Sequence, residues 1–225
     1  MALNGLLAPA LVYPALTRTP PVVLVGGVER FATVFPDRHP GSDLGCAAAI
    51  GYMAFDLGSM VVGYAASVEA NGKFTYWLYV WHHLLSILFW PVAILNSSFV
   101  YFVDWFVASE CSSSWLAIRG AMLALDTINT PLGVLVQLAF VASFFAGRIV
   151  VMPDLIRSLL RADWGAVPAW QARLAACTVP IPFALNAHWG VMIARSVAKV
   201  AVGGGAKGKK KTIAEKEGER EKKVS

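Results

Sequence analysis

The amino-acid sequence predicts an all-α, multi-pass transmembrane helical bundle with five to six spans. Three observations predict it. Hydrophobic residues make up 57% of the 225 and charged residues only 15%, where soluble domains carry about a quarter charged. The mean hydropathy is +0.59. The apolar residues also form continuous runs, not the alternating pattern of a membrane strand, so strands are not expected. The length suits one domain.

The elements follow in chain order. Residues 1–41 are rich in Pro and Gly and supply at most a partial span. Met1 to Leu16 is apolar, but no Lys or Arg precedes it, and the first cation is Arg18. A signal peptide would carry its positive charge first and end in a cleavable small-residue site. The segment therefore reads as a retained short piece, re-entrant or interfacial, or as an imperfect gene start.

A bilayer core takes about 20 apolar residues as a helix. Leu44–Val68 offers such a run with Asp56 as its one charge, and Phe74–Val103 has no Asp, Glu, Lys or Arg. Phe99–Ile118 contains Asp104 and Glu110, while Thr130–Gly147 and Leu174–Ala194 are uncharged. These five candidate spans leave loops near Glu69–Lys73, Asn96–Ser98, Arg119–Asn129 and Asp154–Arg173. Pro180 and Pro182 fall inside the last run, and Pro91 near the end of the second, where membrane helices accept a kink. Phe74, Tyr76 and Trp77 begin one run, and Trp105 and Trp115 flank another, as rings at the water–lipid boundary do.

Charge is concentrated at the end of the chain. Residues 203–225 hold eight Lys or Arg against four Glu, +4 of the net +5, so the first 202 residues are nearly neutral. The basic balance belongs to a tail and not to a nucleic-acid-binding face, and no nucleic-acid partner is expected. Residues 201–225 lack core-forming side chains and are expected to be a disordered basic tail. Lys207, Lys209, Lys210 and Lys211, after Arg195 and Lys199, place this end in the cytosol by the positive-inside bias. Threading back from there sets Arg157 and Arg161 on the opposite side, against the same bias. Lys222 and Lys223, at the fourth and third places from the end, match the dilysine retrieval signal of endoplasmic reticulum membrane proteins, read by coat-protein machinery. The alternative is solvated charge that touches anionic lipid. Cys46, Cys111 and Cys177 are scattered and odd in number, so neither a disulfide framework nor a metal site is supported.

Chemistry must come from polar groups inside the spans, where an ionisable side chain is expensive. Asp56 shares a helix face with Tyr52, Ser59, Met60 and Gly63. His82 and His83 are adjacent, so their directions differ by about 100° and they do not readily grip one metal. The third run offers Asp104, then Glu110 with Ser112, Ser113 and Ser114, then Arg119. Arg148 closes the fourth run, and Asn186 and His188 lie in the fifth. Each also has a structural reading. A histidine or Asp56 can simply bond a neighbouring helix, and Asp104 can sit at a boundary. Glu110 can pair with Arg119, Arg148 can snorkel or meet an acid, and the serines can allow close helix packing. No G-x-S-x-G or H-E-x-x-H occurs, so hydrolase and zincin templates are unsupported.

The series Asp56, His82-His83, Glu110-Cys111-Ser112-Ser113-Ser114-Trp115 with Arg119, Phe144-Phe145-Ala146-Gly147-Arg148 and Asn186-Ala187-His188-Trp189 resembles the TLC domain over about residues 42–200. That domain is shared by ceramide synthases, a translocon-associated protein, a neuronal ceroid lipofuscinosis protein and several small lipid-related proteins. The likeness is nearest to the TLC domain-containing protein 4-like branch, whose third segment reads roughly E-x-S-T-P-F-x-N-x-R. Here Ser113 stands for Thr, Ser114 for Pro, Trp115 for Phe and Ala117 for Asn. The family usually has one or two more helices ahead of the Asp56 run, so an N-terminally truncated or divergent form is expected. Ceramide synthases follow the histidine pair with a His-Asp and a further Asp. Here Asp104 has no His beside it, and the further Asp has no clear match.

The resemblance implies two readings. One is a non-catalytic role in lipid handling or membrane lipid homeostasis in the endoplasmic reticulum, with the polar groups binding a membrane lipid or holding helices in register. The other is a ceramide-synthase-like acyltransferase. In it His82 or His83 is base or acyl acceptor, Asp56 or Asp104 orients an imidazole, and acyl-CoA is the co-substrate. No cofactor is expected in either.

Overall fold

The computed structural model describes residues 4–18, 23–25, 28–30 and 39–201. Lys222 and Lys223, with the rest of the basic tail, lie outside the described residues. The first element is helix α1 (Asn4–Arg18). It is followed by a small antiparallel hairpin, β1 (Val23–Val25) and β2 (Val28–Arg30), with Val23 opposite Arg30 and Val25 opposite Val28. This hairpin lies ahead of the apolar runs, which carry no strand among the described residues. Its sequence has valine-bearing triplets on either side of Gly26-Gly27, a recognisable hairpin signal. The bundle is otherwise all-α among the described residues.

Helix α2 (Pro40–Val62) begins with Pro40 at a position that needs no N–H, and the His39 ring accepts from the Gly41 N–H at 3.0 Å. Helix α3 (Tyr64–Asn71) continues it after Gly63, and Gly72, at φ +78°, reverses the chain into α4 (Lys73–Leu95). That left-handed angle suits a residue without a Cβ. Pro91 lies inside α4, which runs on to Leu95. After a tight turn at Asn96–Phe99 come α5 (Val100–Ser109) and α6 (Cys111–Ala124), then α7 (Pro131–Phe144), capped by the Thr130 hydroxyl. Six residues, Phe145–Val150, form a π-helical turn that leads into α8 (Met152–Leu160). A short 3₁₀ turn at Trp164–Ala166 precedes α9 (Ala169–Thr178) and α10 (Pro180–Ala201).

Among the described residues, four stretches are long and apolar enough to cross a membrane: Pro40–Val62, Lys73–Leu95, Pro131–Leu160 and Ala169–Val200. The difference from five lies in the third run. It breaks at Glu110 into helices of 10 and 14 residues, about 15 and 21 Å long, each short of a 30 Å hydrocarbon core. Serine hydroxyls explain the break. Ser109 donates to the Phe106 carbonyl at 2.7 Å, and Ser112 to the Ser109 carbonyl at 3.1 Å. Such side chains offer the backbone alternative partners. The fourth run is longer than expected, because the π turn carries the helix past Gly147 to Leu160. Pro180 takes the first position of α10, so the last run is interrupted at Val179.

Two compact units divide the chain. The first, Met1–Asn186, holds the core. Met53, Trp90, Phe102, Val107 and Phe183 belong to one continuous buried cluster. Helix α1 joins it through Ala8 and Val12, and Ala15, on the same helix face, is buried as well, all three at most 3% exposed. Gly45 explains the close fit, since a Cβ there would collide with the Val12 side chain. Outside the core, Phe55, Leu88, Leu135 and Leu138 are exposed, as lipid-facing side chains are. The second unit, Ala187–Ser225, contains the remainder of α10 through Ala201, with Lys199 in its last turn.

Candidate functional site

The charged residues of the spans converge inside the first unit. Helix α2 supplies Asp56, which is 9% exposed, and α4 supplies His82 and His83. The break between α5 and α6 supplies Glu110, because a residue between two helices need not follow either helical face. The π turn supplies Arg148, and the first part of α10 supplies Asn186. A π turn inserts extra backbone and redirects side chains, and it is often retained at functional sites. Here it sets Arg148 inward at 7% exposure, well inside the Pro131–Leu160 run. That corrects the placement of Arg148 at the end of its span and leaves the acid-paired alternative, since the guanidinium does not snorkel.

Arg148 satisfies its fork in three directions. Nε donates to Ser112 Oγ at 3.0 Å, Nη1 to Asn186 Oδ1 at 3.1 Å, and Nη2 to Glu110 Oε1 at 2.9 Å. Its carbon Cζ also lies 5.5 Å from the centre of the Phe144 ring, within cation–π range. The other Glu110 oxygen accepts from Ser113 Oγ at 2.6 Å. A buried ion pair persists only when such bonds satisfy both partners.

The two histidines turn to different acids. His83 Nδ1 lies 2.7 Å from the Tyr79 carbonyl oxygen, and Nε2 lies 3.1 Å from Asp56 Oδ2. Both nitrogens face acceptors, which only an imidazolium can serve in full. His82 Nε2 lies 4.0 Å from Glu110 Oε1, and the two rings meet edge to face with centroids 5.5 Å apart. The result is one continuous cluster: Asp56, His83, His82, Glu110, Arg148 and Asn186. Arg148 is the one permanent cation of the cluster, and its two carboxylates, Asp56 and Glu110, outnumber it unless His83 is an imidazolium. The cluster therefore has no positive excess to offer a phosphate.

Asp104 and Arg119 do not join it. Asp104, 4% exposed, accepts from Ser42 Oγ at 2.8 Å and ties α5 to the start of α2. Arg119 stands nine residues beyond Glu110 along α6, about 13 Å at the helical rise. Of the pairings open to these charges, Glu110 meets Arg148 and not Arg119. Among the sequence candidates, Asp56, His82, His83, Glu110, Ser112, Arg148 and Asn186 are brought together.

An apolar cavity opens next to the cluster. Together with the open space at its mouth it measures about 700 Å³, between α4, α5, α9 and the first part of α10. Phe89, Val103, Phe106, Leu174 and Leu185 line it, and His82 is in its wall. His83 is not among the lining residues, and both its nitrogens are engaged, so His82 is the imidazole that a bound molecule would meet. Sequence reasoning missed Gln171, a lining residue that is 8% exposed. It fell within an expected loop, and nothing in the sequence distinguished it from a surface glutamine.

A family model described as the TLC domain matches residues 9–195. The match starts inside α1 and takes in every residue of the cluster. No curated protein and no solved structure matches the chain.

Proposed function

The chain belongs to the TLC-domain family, a multi-pass membrane family, and we propose that it is a lipid-handling protein that holds an acyl chain in the cavity with the chain's polar end at His82. The observation that carries the proposal is the adjacency of the apolar cavity to the buried charge cluster, with His82 belonging to both. Ligand sites are typically concave, mostly apolar and furnished with a few convergent polar groups. The lack of positive excess in the cluster favours an ester, amide or thioester carbonyl over a phosphorylated head.

The likeness of Glu110–Arg119 to the TLC domain-containing protein 4-like motif supports a role in membrane lipid homeostasis. The dilysine at Lys222 and Lys223 supports residence in the endoplasmic reticulum, with a cytosolic C-terminus and coat proteins as retrieval partners.

A second reading, transfer of an acyl group from acyl-CoA, is favoured by one observation. His82 faces the cavity and is backed by Glu110 at 4.0 Å, and a carboxylate behind an imidazole stabilises its protonated form. One experiment separates the two. The purified protein is extracted for bound lipid and assayed for free CoA release from acyl-CoA with a lipid acceptor. Lipid handling predicts a co-purifying neutral acyl lipid, reduced in His82→Leu, and no CoA release. Release that His82→Ala abolishes would replace lipid handling with catalysis, and absence of both lipid and release would sink both readings.

A further inference from the structure

The cavity has a second polar pole. It follows α4 from His82 to Ala93, eleven residues or about 16 Å. Ser98, 2% exposed, lines it just past the end of α4. Gln171 belongs to the same far end. It precedes Asn186 by fifteen residues along α9 and α10, about 22 Å at the helical rise, and Asn186 is held at the His82 end by Arg148. The connector before α9 also packs at the far end, where the Trp164 and Phe99 rings lie 5.4 Å apart.

Gln171 is 8% exposed, and its side-chain oxygen has no hydrogen-bond partner among the described residues. A buried amide oxygen left unpaired is costly and uncommon. Its natural complement is a donor on whatever fills the cavity. No Asp or Glu lines the cavity, so nothing there would balance a bound ammonium. A neutral hydroxyl is the donor that fits.

We propose that the cavity selects acyl chains bearing a hydroxyl at the end remote from the head, with Gln171 accepting the hydroxyl's hydrogen bond and Ser98 in the same end wall. This rests on the reading that an acyl chain occupies the cavity with its head at His82.

The test uses the full chain in nanodiscs. Methyl esters of saturated fatty acids, from dodecanoic to octadecanoic, and their ω-hydroxy counterparts compete for binding against one radiolabelled ester. The expected result is an ω-hydroxy ester of one preferred length that binds about tenfold more tightly than its plain counterpart, the ratio one good hydrogen bond supplies. Gln171→Leu should bring the affinities of each ω-hydroxy ester and its plain counterpart together, whatever it does to the plain esters' own affinity. Gln171→Met replaces it should the leucine variant not fold. Plain esters that bind without any ω-hydroxy advantage, or an advantage that survives loss of the amide, would overturn the hydroxyl assignment alone. Failure of every ester to bind would overturn it together with the acyl-chain reading.

Discussion

Arg148→Met is expected to lower the stability of the protein by about 3–5 kcal/mol, the usual consequence of leaving one charge of a buried pair alone. Glu110 and Arg148 are each at most 7% exposed, so water cannot replace the missing guanidinium. Ser112 and Asn186 would lose their charged donor at the same time. Adding Glu110→Gln should recover a large share, because the stranded carboxylate is then gone. The difference between the single and double variants gives the coupling directly. Unfolding by SDS in mixed micelles provides the measurement. A loss below about 1 kcal/mol for Arg148→Met would mean that the pair is solvated, as surface pairs are, and not part of the interior.

Asp56→Leu is expected to cost about 3 kcal/mol by the same reasoning. His83 would keep the Tyr79 carbonyl on Nδ1 but lose the acceptor 3.1 Å from Nε2. Asp56→Asn should cost markedly less, because the amide oxygen still accepts from the ring. The Asp56→Leu, His83→Leu double variant should lie nearer the wild type than Asp56→Leu alone, since apolar pairs often replace buried ionic ones without penalty. The same SDS titration reads all three. If the double variant were no better than the single, the Asp56–His83 contact would carry no energetic coupling.

Both predictions concern groups that the sequence identified and could not arrange. Asp56, His82, His83, Glu110 and Arg148 were conspicuous because titratable side chains in apolar runs are rare. Their divergence of direction on α4 followed from helical geometry alone, and the structure turns His82 and His83 to separate carboxylates. The partners were not legible. Arg119 was the nearer cation to Glu110 in sequence, yet helical rise carries it away, and a π turn that no spacing rule announces brings Arg148 in. The break at Glu110 had a signal in the serine run, but serines also occur in unbroken membrane helices. From the sequence, helix α1 reads as a retained short piece, re-entrant or interfacial, in a segment rich in Pro and Gly. Its place in the core depends on the Gly45 contact with Val12, which is a long-range fact. Asp104 met the same criterion as Asp56, and only packing assigns it to Ser42.

The most direct test of the central claim, that an acyl chain sits in the cavity beside His82, is photo-crosslinking in liposomes with a fatty acyl ester carrying a diazirine along its chain. Adducts are mapped by mass spectrometry with and without excess unlabelled ester. Adducts are expected on the cavity residues Val103, Phe106 and Leu174, and the unlabelled ester should suppress them. Labelling confined to outward side chains such as Leu88, Leu135 and Leu138, and insensitive to competitor, would contradict the claim.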